Sequence, residues 1–535
     1  MALDYGSPAS RRPTPAQAGE TPAVPVDGVA IAATLATLIC AAPAVAVIAL
    51  ALAPDRAGAA FGSNLLGDGA VGTFALVMLG GVGAVLFGAA AAWLVSLAQF
   101  PGRGLFEWLL VLPLAAPSYV LAYAYTGMTW ANGSALEVRG LWGAAFIYAA
   151  GLYPYVYLAA RAAFVSQSAC ALEAARTLGA KPRDVVWRVA LPLARPGIAA
   201  GGALACMEIA ADYGAAQHFG LTTLSTAVFR AWYAHGAPHV ALQISAVLLL
   251  AALVFLVVER WARGRASYAG GSTRWRMLPR YELGPLGGGL AAVFCAALVL
   301  FGAALPLLWL GRLAVLHPHF VEVAEPFANS LLLSAGGAMG TLSLACAIAV
   351  AARRATGIGK ASLYAAAMGY AAPGAVIAMG ALALFGLARE AGWIGGLSSS
   401  LALAALLWGY AARFSAAGVG PIDAGLTRLS KGLDASARTL GAGPWRRFAE
   451  VDVPIAAPAL AAAALILFVE ILKELPATLI LRPFDFDTLA VRAHAYASDE
   501  RLLEAATPSL LIFLAGLLPI ILLTRGLARS RAGQR

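Results

Sequence analysis

The stretch LEAARTLGAKPRDVVWRVALPLARPG, residues 172–197, contains six residues, ARTLGA at 175–180, that occur again at 437–442. The two copies are 262 residues apart, and this spacing matches further positions without a gap, from the loop through the next apolar segment and into the loop after it. The matched positions are Pro182 and Pro444, Pro192 and Pro454, Pro196 and Pro458, Glu208 and Glu470, Thr226 and Thr488, and Arg230 and Arg492. The chain therefore consists of two similar halves in tandem.

The composition is that of a membrane protein. Of the 535 residues, 61% are hydrophobic and 12% are charged, whereas soluble domains carry about 25% charged residues. A membrane-spanning helix needs roughly 20 mostly apolar residues, and we predict twelve such segments, with Gly and Pro interrupting those near 105 and 396. The segments lie near 28–53, 72–98, 105–130, 141–166, 197–217, 239–258, 286–311, 328–352, 361–388, 396–420, 455–477 and 505–524. We predict an all-α polytopic protein with about 12 transmembrane helices in two tandem parallel six-helix repeats, because six spans return each half to the same side.

The basic residues are sorted by loop. The net charge is +10, but the Lys and Arg side chains alternate between rich and poor loops instead of forming one soluble basic face, so no nucleic-acid partner is expected. By the positive-inside rule the rich loops are cytoplasmic, which places both termini in the cytoplasm. The protein is predicted to be a multi-pass protein of the bacterial inner membrane.

The repeat and the charge pattern together divide the chain. We predict a disordered cytoplasmic tail at 1–27, a first repeat at 28–262, a cytoplasmic linker at 263–284, a second repeat at 285–528 and a short tail at 529–535. Each repeat carries its copy of the hexamer in its longest cytoplasmic loop, at 172–197 and at 434–459. These loops are the most distinctive cytoplasmic feature of each half.

Each of these loops reads as a short helix, a glycine turn and a second short helix. Gly179 permits a left-handed turn after good helix formers, and Pro182 is suited to the first position of the second helix. A small-residue hairpin of this kind can dock into a groove of another protein, or it can be an amphipathic surface connector. Its presence at equivalent positions of both halves favours docking onto a pair of equal partners.

The first loop resembles the EAA loop of the permeases of type I ABC importers. The matching residues are Glu173, Ala174 and Ala175, followed by Gly179. In that family the loop is the coupling helix, which docks on the ATP-binding subunit, so the resemblance implies two copies of such a subunit as partners. The second loop departs from the pattern, because its glycine is Gly441 but its acid stands one place early, at Asp434 before Ala435. The two docking sites are therefore expected to differ.

A narrower resemblance covers nearly the whole chain. The stretches at 141–164, 206–220 and 469–506, the last containing KELPATLILRPFDFDTLA, are similar to the fused two-repeat permeases of ferric-iron importers. The resemblance implies a non-catalytic pathway subunit with no bound cofactor, ATP and Mg²⁺ being used by the partner ATPase. It also implies an extracytoplasmic solute-binding protein as partner and ferric iron as cargo.

Carboxylates inside apolar segments are the strongest candidates for the pathway. Glu208 and Asp212 lie four residues apart in the fifth segment and so on one helical face, and Glu470 and Glu474 repeat them in the eleventh. Carboxylates in hydrocarbon are costly and normally face a partner or a water-filled path, and hard oxygen ligands suit a hard cation. We predict that these acids line the route with Tyr213 as a further oxygen donor. The alternative is that Lys473 neutralises the second pair, which then serves packing or gating.

Two further patterns leave the cargo and the energy source open. All six histidines and a group of acids fall on the predicted outer side, which suggests a surface for a metal-carrying partner or for the ion; they include His317 and His319, Glu322 and Glu325, and Asp485, Asp487, Asp499 and Glu500. The same class of permease could carry thiamine, a polyamine or an oxyanion, although paired acids argue against an anion. A secondary transporter of two six-span repeats is a second possibility, which the cytoplasmic hairpins disfavour because such a carrier has no ATPase to dock.

Overall fold

A computed structural model describes most of the chain as α-helix. The described residues are 27–53, 59–131, 138–165, 175, 177–179, 182–269, 280–353, 357–396, 398–426, 436, 439–441, 443, 446 and 448–532. The helices of the first half are α1 (Asp27–Ala51), α2 (Ala59–Leu97), α3 (Arg103–Leu109), α4 (Ser118–Ala131), α5 (Gly140–Val165), α6 (Pro182–Val185), α7 (Leu191–Ala211), α8 (Gly214–His218), α9 (Leu224–Phe229) and α10 (Pro238–Ala269). Those of the second half are α11 (Pro285–Val299), α12 (Leu305–Leu316), α13 (Phe320–Arg353), α14 (Gly357–Ala371), α15 (Gly374–Glu390), α16 (Ser399–Leu426), α17 (Val453–Leu472), α18 (Pro476–Leu481), α19 (Leu489–Ser498) and α20 (Leu502–Ala532).

The membrane spans follow the predicted segments closely. Within the described residues, 10 helices are long and apolar enough to cross a membrane, and two further pairs qualify if each bent pair is one span. The first pair bends by 92° between 103–115 and 118–129, as predicted near 105. The second bends by 112° between α14 and α15, so the interruption predicted near 396 is wrong. Pro373 breaks the preceding span instead, while α16 runs unbroken.

The repeat is visible in the helix boundaries. Helices α7 and α17 begin 262 residues apart, and each is preceded by a short π-helical segment, Val186–Ala190 and Phe448–Asp452, at the same spacing. The spacing changes after α8 and α18. The threonines that cap α9 and α19 are Thr223 and Thr488, so the predicted match of Thr226 with Thr488, and with it Arg230 with Arg492, is three residues out of register.

The first helix of each half packs on the opposite half. Helix α1 lies against α13, α14, α15 and α16 of the second half and touches its own half mainly through α10. The Trp408 indole donates to the Ile39 carbonyl oxygen at 3.0 Å across this contact. In the second half, the segment from α11 to α12 contacts α2, α3, α4 and α5 in the same way, and the Tyr125 hydroxyl donates to the Phe301 carbonyl oxygen. The predicted repeat boundaries therefore divide the sequence but do not separate two independent bodies.

A short strand pair and ion pairs hold one end of the contact between α11 and the first half. Strand β1 (Ala98–Gln99) pairs in parallel with β2 (Tyr281–Glu282), which leads into α11. Beside it, Glu107 forms ion pairs with Arg161 of α5 and with Arg103, the latter at 3.7 Å. Arg161, near the end of α5, is therefore paired with an acid of the same half.

Gly380 of α15 offers a test of the helix exchange. A Cβ atom added there would overlap the carbonyl group of Pro43 in α1. We expect Gly380→Ala to lower the thermal midpoint in detergent by about 1–3 °C, because relieving the overlap costs about 1–3 kcal/mol and the unfolding entropy of a chain of this length is large.

Gly386 in the same helix is the matched control, since a Cβ there meets nothing within 4 Å. Alanine favours helix over glycine, so Gly386→Ala should be neutral or slightly stabilising. Equal effects of the two substitutions would contradict the packing of α1 against α15.

Candidate functional site: a charged cavity between the halves

The fifth and eleventh spans end just before the second acid of each pair. Helix α7 ends at Ala211 and α17 at Leu472, so Asp212 and Glu474 lie in the short links that follow. The prediction that each pair shares one helical face is therefore wrong. The pairs converge because each link turns back at once into a short helix, α8 or α18.

The links are held by backbone donors at the start of these short helices. Asp212 Oδ1 accepts from the Ala215 N–H at 2.9 Å. Glu474 accepts from the Ala477 N–H at 3.1 Å and from the Thr478 N–H at 3.0 Å. Unsatisfied N–H groups at a helix start favour a carboxylate, so both acids also stabilise the local fold.

All six predicted pathway residues line one cavity of about 110 Å³. It lies where α7 and α8 of the first half meet α17 and α18 of the second, and it is large enough for a metal ion with several water molecules. The lining residues include Glu208, Asp212, Tyr213, Glu470, Lys473 and Glu474. Their role in transport stays a prediction, but the structure brings them together.

Arg413 of α16 is the residue of this cavity that sequence reasoning missed. Its guanidinium lies 2.6 Å from Glu474 Oε1, and the Glu474 side chain is only 2% exposed. The available signal was an arginine in the middle of an apolar segment, which is by default a functional residue. A Cβ on Gly374 would overlap both members of this pair, so a glycine is required beside it.

Lys473 pairs with Glu470, as the alternative reading of the sequence anticipated. The Lys473 Nζ atom lies 2.7 Å from Glu470 Oε1. Four carboxylates against two cations leave the cavity with a formal excess of two negative charges. The cavity is therefore suited to a cation and not to a free anion.

The broken helices open onto this cavity. Pro117, Ser118 and Tyr119 at the bend before α4 contribute to its lining. The second bend, at Pro373, leads directly into Gly374. Both bends carry the tripeptide Ala-Ala-Pro, at 115–117 and 371–373, which was a sequence signal for paired breaks. Non-helical backbone at membrane depth is tolerated where it lines a cavity.

A second cavity of about 490 Å³ lies next to the first and contains two histidines. His218 comes from the first half and His494 from the second, and the Tyr123 hydroxyl lies 3.0 Å from His494 Nδ1. Tyr213 stands between the cavities, since it lines the first and its ring is 5.5 Å from that of His494. Burial lowers the pKa of both His218 and His494 to about 4, so both are neutral at pH 7.

Some of the acids predicted on the outer side form ion pairs or hydrogen bonds with nearby side chains. Asp487 forms ion pairs with Arg482 and with Arg492, the latter at 2.9 Å. Glu322 accepts from the Tyr496 hydroxyl at 3.0 Å and lies 3.6 Å from His319 Nδ1. Within the described ranges, no group of three or more His, Cys, Asp or Glu side chains is placed to hold a metal ion. Neither these outer residues nor the four cavity acids form a preassembled metal site among the residues that the structure describes.

The two glycine turns, which the sequence predicts to be cytoplasmic, have the same backbone in both halves. Gly179 has a φ of +82° and Gly441 a φ of +78°, and a Cβ on either would meet nothing within 4 Å. The leucines before them, Leu178 and Leu440, are 87% and 84% exposed. Ala175 is described, whereas Glu173, Ala174, Asp434 and Ala435 lie outside the described residues. An exposed leucine beside an open glycine turn is suited to insertion into a partner.

The chain matches a family of transport proteins. Residues 84–267 match the binding-protein-dependent transport system inner membrane component. The chain is 25% identical over 465 residues to the Fe(3+)-transport system permease protein FbpB 2 of Haemophilus influenzae, covering 85% of this chain and 88% of that protein. This similarity extends over both halves.

Two other relatives match about one third of the chain. The molybdenum transport system permease protein ModB of Escherichia coli is 28% identical over 191 residues, 33% of this chain and 83% of its own length. The sulfate transport system permease protein CysW of Synechocystis is 27% identical over 197 residues, 34% of this chain and 71% of its own length. These proteins are named for different cargoes, so the likeness by itself indicates the class of machine.

The buried histidines predict a pH-dependent stability. Because their folded pKa of about 4 lies below the usual 6.5, stability is fully present above pH 6.5 and is lost progressively between pH 6.5 and 4. At pH 5 each histidine should withdraw about 2 kcal/mol. The thermal midpoint of His494→Gln should therefore fall less between pH 7.5 and 5 than that of the natural protein.

The exposed His317 provides the control for this comparison. His317→Gln should leave the pH dependence of the thermal midpoint unchanged. An identical pH profile for His494→Gln and the natural protein would contradict the burial of the imidazole as the cause.

Proposed function

We propose that this chain is a permease of the binding-protein-dependent, ATP-driven importer class and that it forms the membrane pathway for ferric iron. The observation that carries the proposal is the acidic cavity between the halves, lined by four carboxylates and several tyrosines. Carboxylate and phenolic oxygens are hard ligands, which favour a hard cation. The iron-transport permease that resembles this chain along 85% of its length supports the same cargo.

An oxyanion is the less favourable cargo on chemical grounds. The molybdenum and sulfate permeases match only about a third of this chain. Arg413 and Lys473 could in principle attract an anion, but each is within 3 Å of a carboxylate oxygen. Binding an oxyanion would require breaking these ion pairs in a cavity that is already negative. Organic cations such as thiamine or a polyamine remain compatible with the charge and are outcomes of the test below.

We further propose the partners of the machine. Two copies of an ATP-binding subunit would dock on the turns at Gly179 and Gly441 from the cytoplasm, where both termini also lie. ATP and Mg²⁺ would be used by those subunits, so the chain itself would be non-catalytic and hold no cofactor. An extracytoplasmic solute-binding protein would deliver the ferric iron. A gradient-driven carrier would have no use for the exposed pair Leu178 and Leu440.

Replacing a cavity acid should impair import. We expect Glu208→Gln and Glu470→Gln, made singly, each to reduce ⁵⁵Fe(III) uptake by on the order of tenfold or more. The first removes about 1.4 kcal/mol or more of attraction to the passing cation, and the second leaves the Lys473 ammonium group, now 2.7 Å from Glu470 Oε1, unpaired in its path. Uptake is measured in cells that contain the ATP-binding and solute-binding partners and lack other iron importers.

Glu390 of α15 is an exposed acid outside the cavity and is the matched control. Glu390→Gln should transport normally, with equal amounts of all variants in the membrane. Near-normal iron uptake by both cavity variants would refute the proposed route. Uptake of molybdate, sulfate, thiamine or a polyamine in place of iron would keep the machine and replace the cargo.

The glycine turns should couple ATP hydrolysis to transport. In lipid, with the co-expressed ATP-binding subunit, iron-loaded binding protein should stimulate ATPase activity. Gly179→Val and Gly441→Val should abolish that stimulation, because a β-branched residue is strained at a φ near +80°. The variants are compared with Gly443→Val, whose glycine lies in the same segment without a left-handed φ.

The contrary outcomes of this assay are distinct. If Gly443→Val fails equally, the turn conformation is not the cause. If no ATP-binding subunit co-purifies and an ion gradient alone drives uptake, the secondary-transporter reading replaces the proposed one.

A further inference from the structure

The two halves place different side chains at equivalent positions of the acidic cavity. At the spacing of 262 residues, Lys473 corresponds to Ala211 and Arg413 to Gly151, and all four line the cavity. Both cations of the cavity thus come from the second half. The acids, by contrast, are present in both halves. The two halves therefore contribute different net charges to the cavity.

In the second half, the acids are internally satisfied. Glu470 is paired with Lys473 at 2.7 Å, and Glu474 with Arg413 at 2.6 Å. Glu474 also accepts from the Thr478 hydroxyl at 3.0 Å. The nearby Tyr410 hydroxyl lies 2.6 Å from the same Thr478 oxygen. This network leaves little free coordinating capacity.

In the first half, the structure describes no cationic partner for the corresponding acids. Among the described residues, no Lys, Arg or His side chain lies within 4 Å of a Glu208 or Asp212 carboxylate oxygen, and Asp212 accepts from the Ala215 N–H at 2.9 Å. Tyr148, the counterpart of Tyr410, is fully buried beside Asp212. Its hydroxyl faces that carboxyl but forms no hydrogen bond of normal geometry in the described part of the chain, because the counterpart of Thr478 is Ala216. The first-half acids therefore keep more free coordinating capacity than those of the second half.

We propose that the cargo cation binds to the first half alone, at Glu208 and Asp212, while Lys473 and Arg413 act as tethered cations that occupy the second half. This inference rests on the proposed function for the identity of the cargo. Two carboxylates and water would supply oxygen ligands to a hard cation, with the hydroxyl of the lining residue Tyr213 as a further donor. The side-chain cations Lys473 and Arg413 reduce the unfavourable energy of burying four carboxylates when no cargo is bound. They do so without forming ion pairs with Glu208 or Asp212.

The asymmetry can be tested by moving a charge from one half to the other. In Ala211→Lys, an ammonium group follows Glu208 by three residues, as Lys473 follows Glu470. We expect this variant and Glu208→Gln to bind ferric iron at least roughly tenfold more weakly than the natural protein. The double variant Glu470→Gln/Lys473→Ala removes a charge pair and keeps the net charge, so it should weaken binding clearly less than Glu208→Gln does. Affinity is measured by equilibrium dialysis of the purified chain in detergent against ⁵⁵Fe(III)-nitrilotriacetate.

Ala211→Gln controls for side-chain size at the buried position 211. It should retain binding, and its thermal midpoint should match that of Ala211→Lys. Natural affinity in Ala211→Lys, or a loss in the double variant equal to that in Glu208→Gln, would overturn the inference.

A second readout separates this inference from the choice of cargo. Dicyclohexylcarbodiimide modifies carboxyl groups in apolar surroundings, and peptide mass spectrometry locates the adduct. We expect preferential labelling at Glu208 over Glu470, with protection by ferric iron. Preferential labelling without iron binding or protection would leave the open first-half site in place and refute iron as its cargo. Equal labelling of Glu208 and Glu470 would refute the asymmetry itself.

Discussion

The main constraint on this structure is that four carboxylates must be held within a membrane, where a buried charge is energetically unfavourable. An isolated buried charge is strongly unfavourable, and the cavity meets this cost with several kinds of contact. Backbone N–H groups of α8 and α18 donate to Asp212 and Glu474. Lys473 and Arg413 neutralise two acids by direct ion pairs. The remaining negative excess is what makes the cavity a place for a cation.

The backbone is arranged to make this cavity possible. Helices α7 and α17 end at Ala211 and Leu472. Asp212 and Glu474, which follow these ends, can therefore accept from the free N–H groups at the starts of α8 and α18. Proline breaks two further spans beside them, and Gly374 leaves the room that the Arg413 guanidinium needs. Interrupted helices are stable at this depth because their backbone faces protein or the cavity instead of lipid.

The same helices run from the cavity towards the glycine turns. From Pro182 the chain is helical without interruption through the π-helical segment and α7 to Ala211. A displacement applied at Pro182 would therefore reach Glu208 along one continuous helix, and the segment from Phe448 to Leu472 repeats this in the second half. Because α1 and α12 pack on the opposite halves, movement of one half would also act on the other. This is a physical basis for coupling the region of the glycine turns to the cavity near the other end of the span.

The sequence by itself determined the membrane class, the twelve spans, the tandem repeat and the acids that meet in the cavity. Hydrophobic length, loop charge and a repeated hexamer are local properties, so they can be read along the chain. Sequence reasoning placed Asp212 and Glu474 on continuous helices, matched the later threonines out of register and left Arg413 without a role. Only the tertiary structure decided these points, because helix ends, the exchange of first helices and the pairing of Arg413 with Glu474 depend on residues far apart in the chain. It also decided that the halves are unequal, since whether a carboxylate is open or paired depends on which side chain faces it across the cavity.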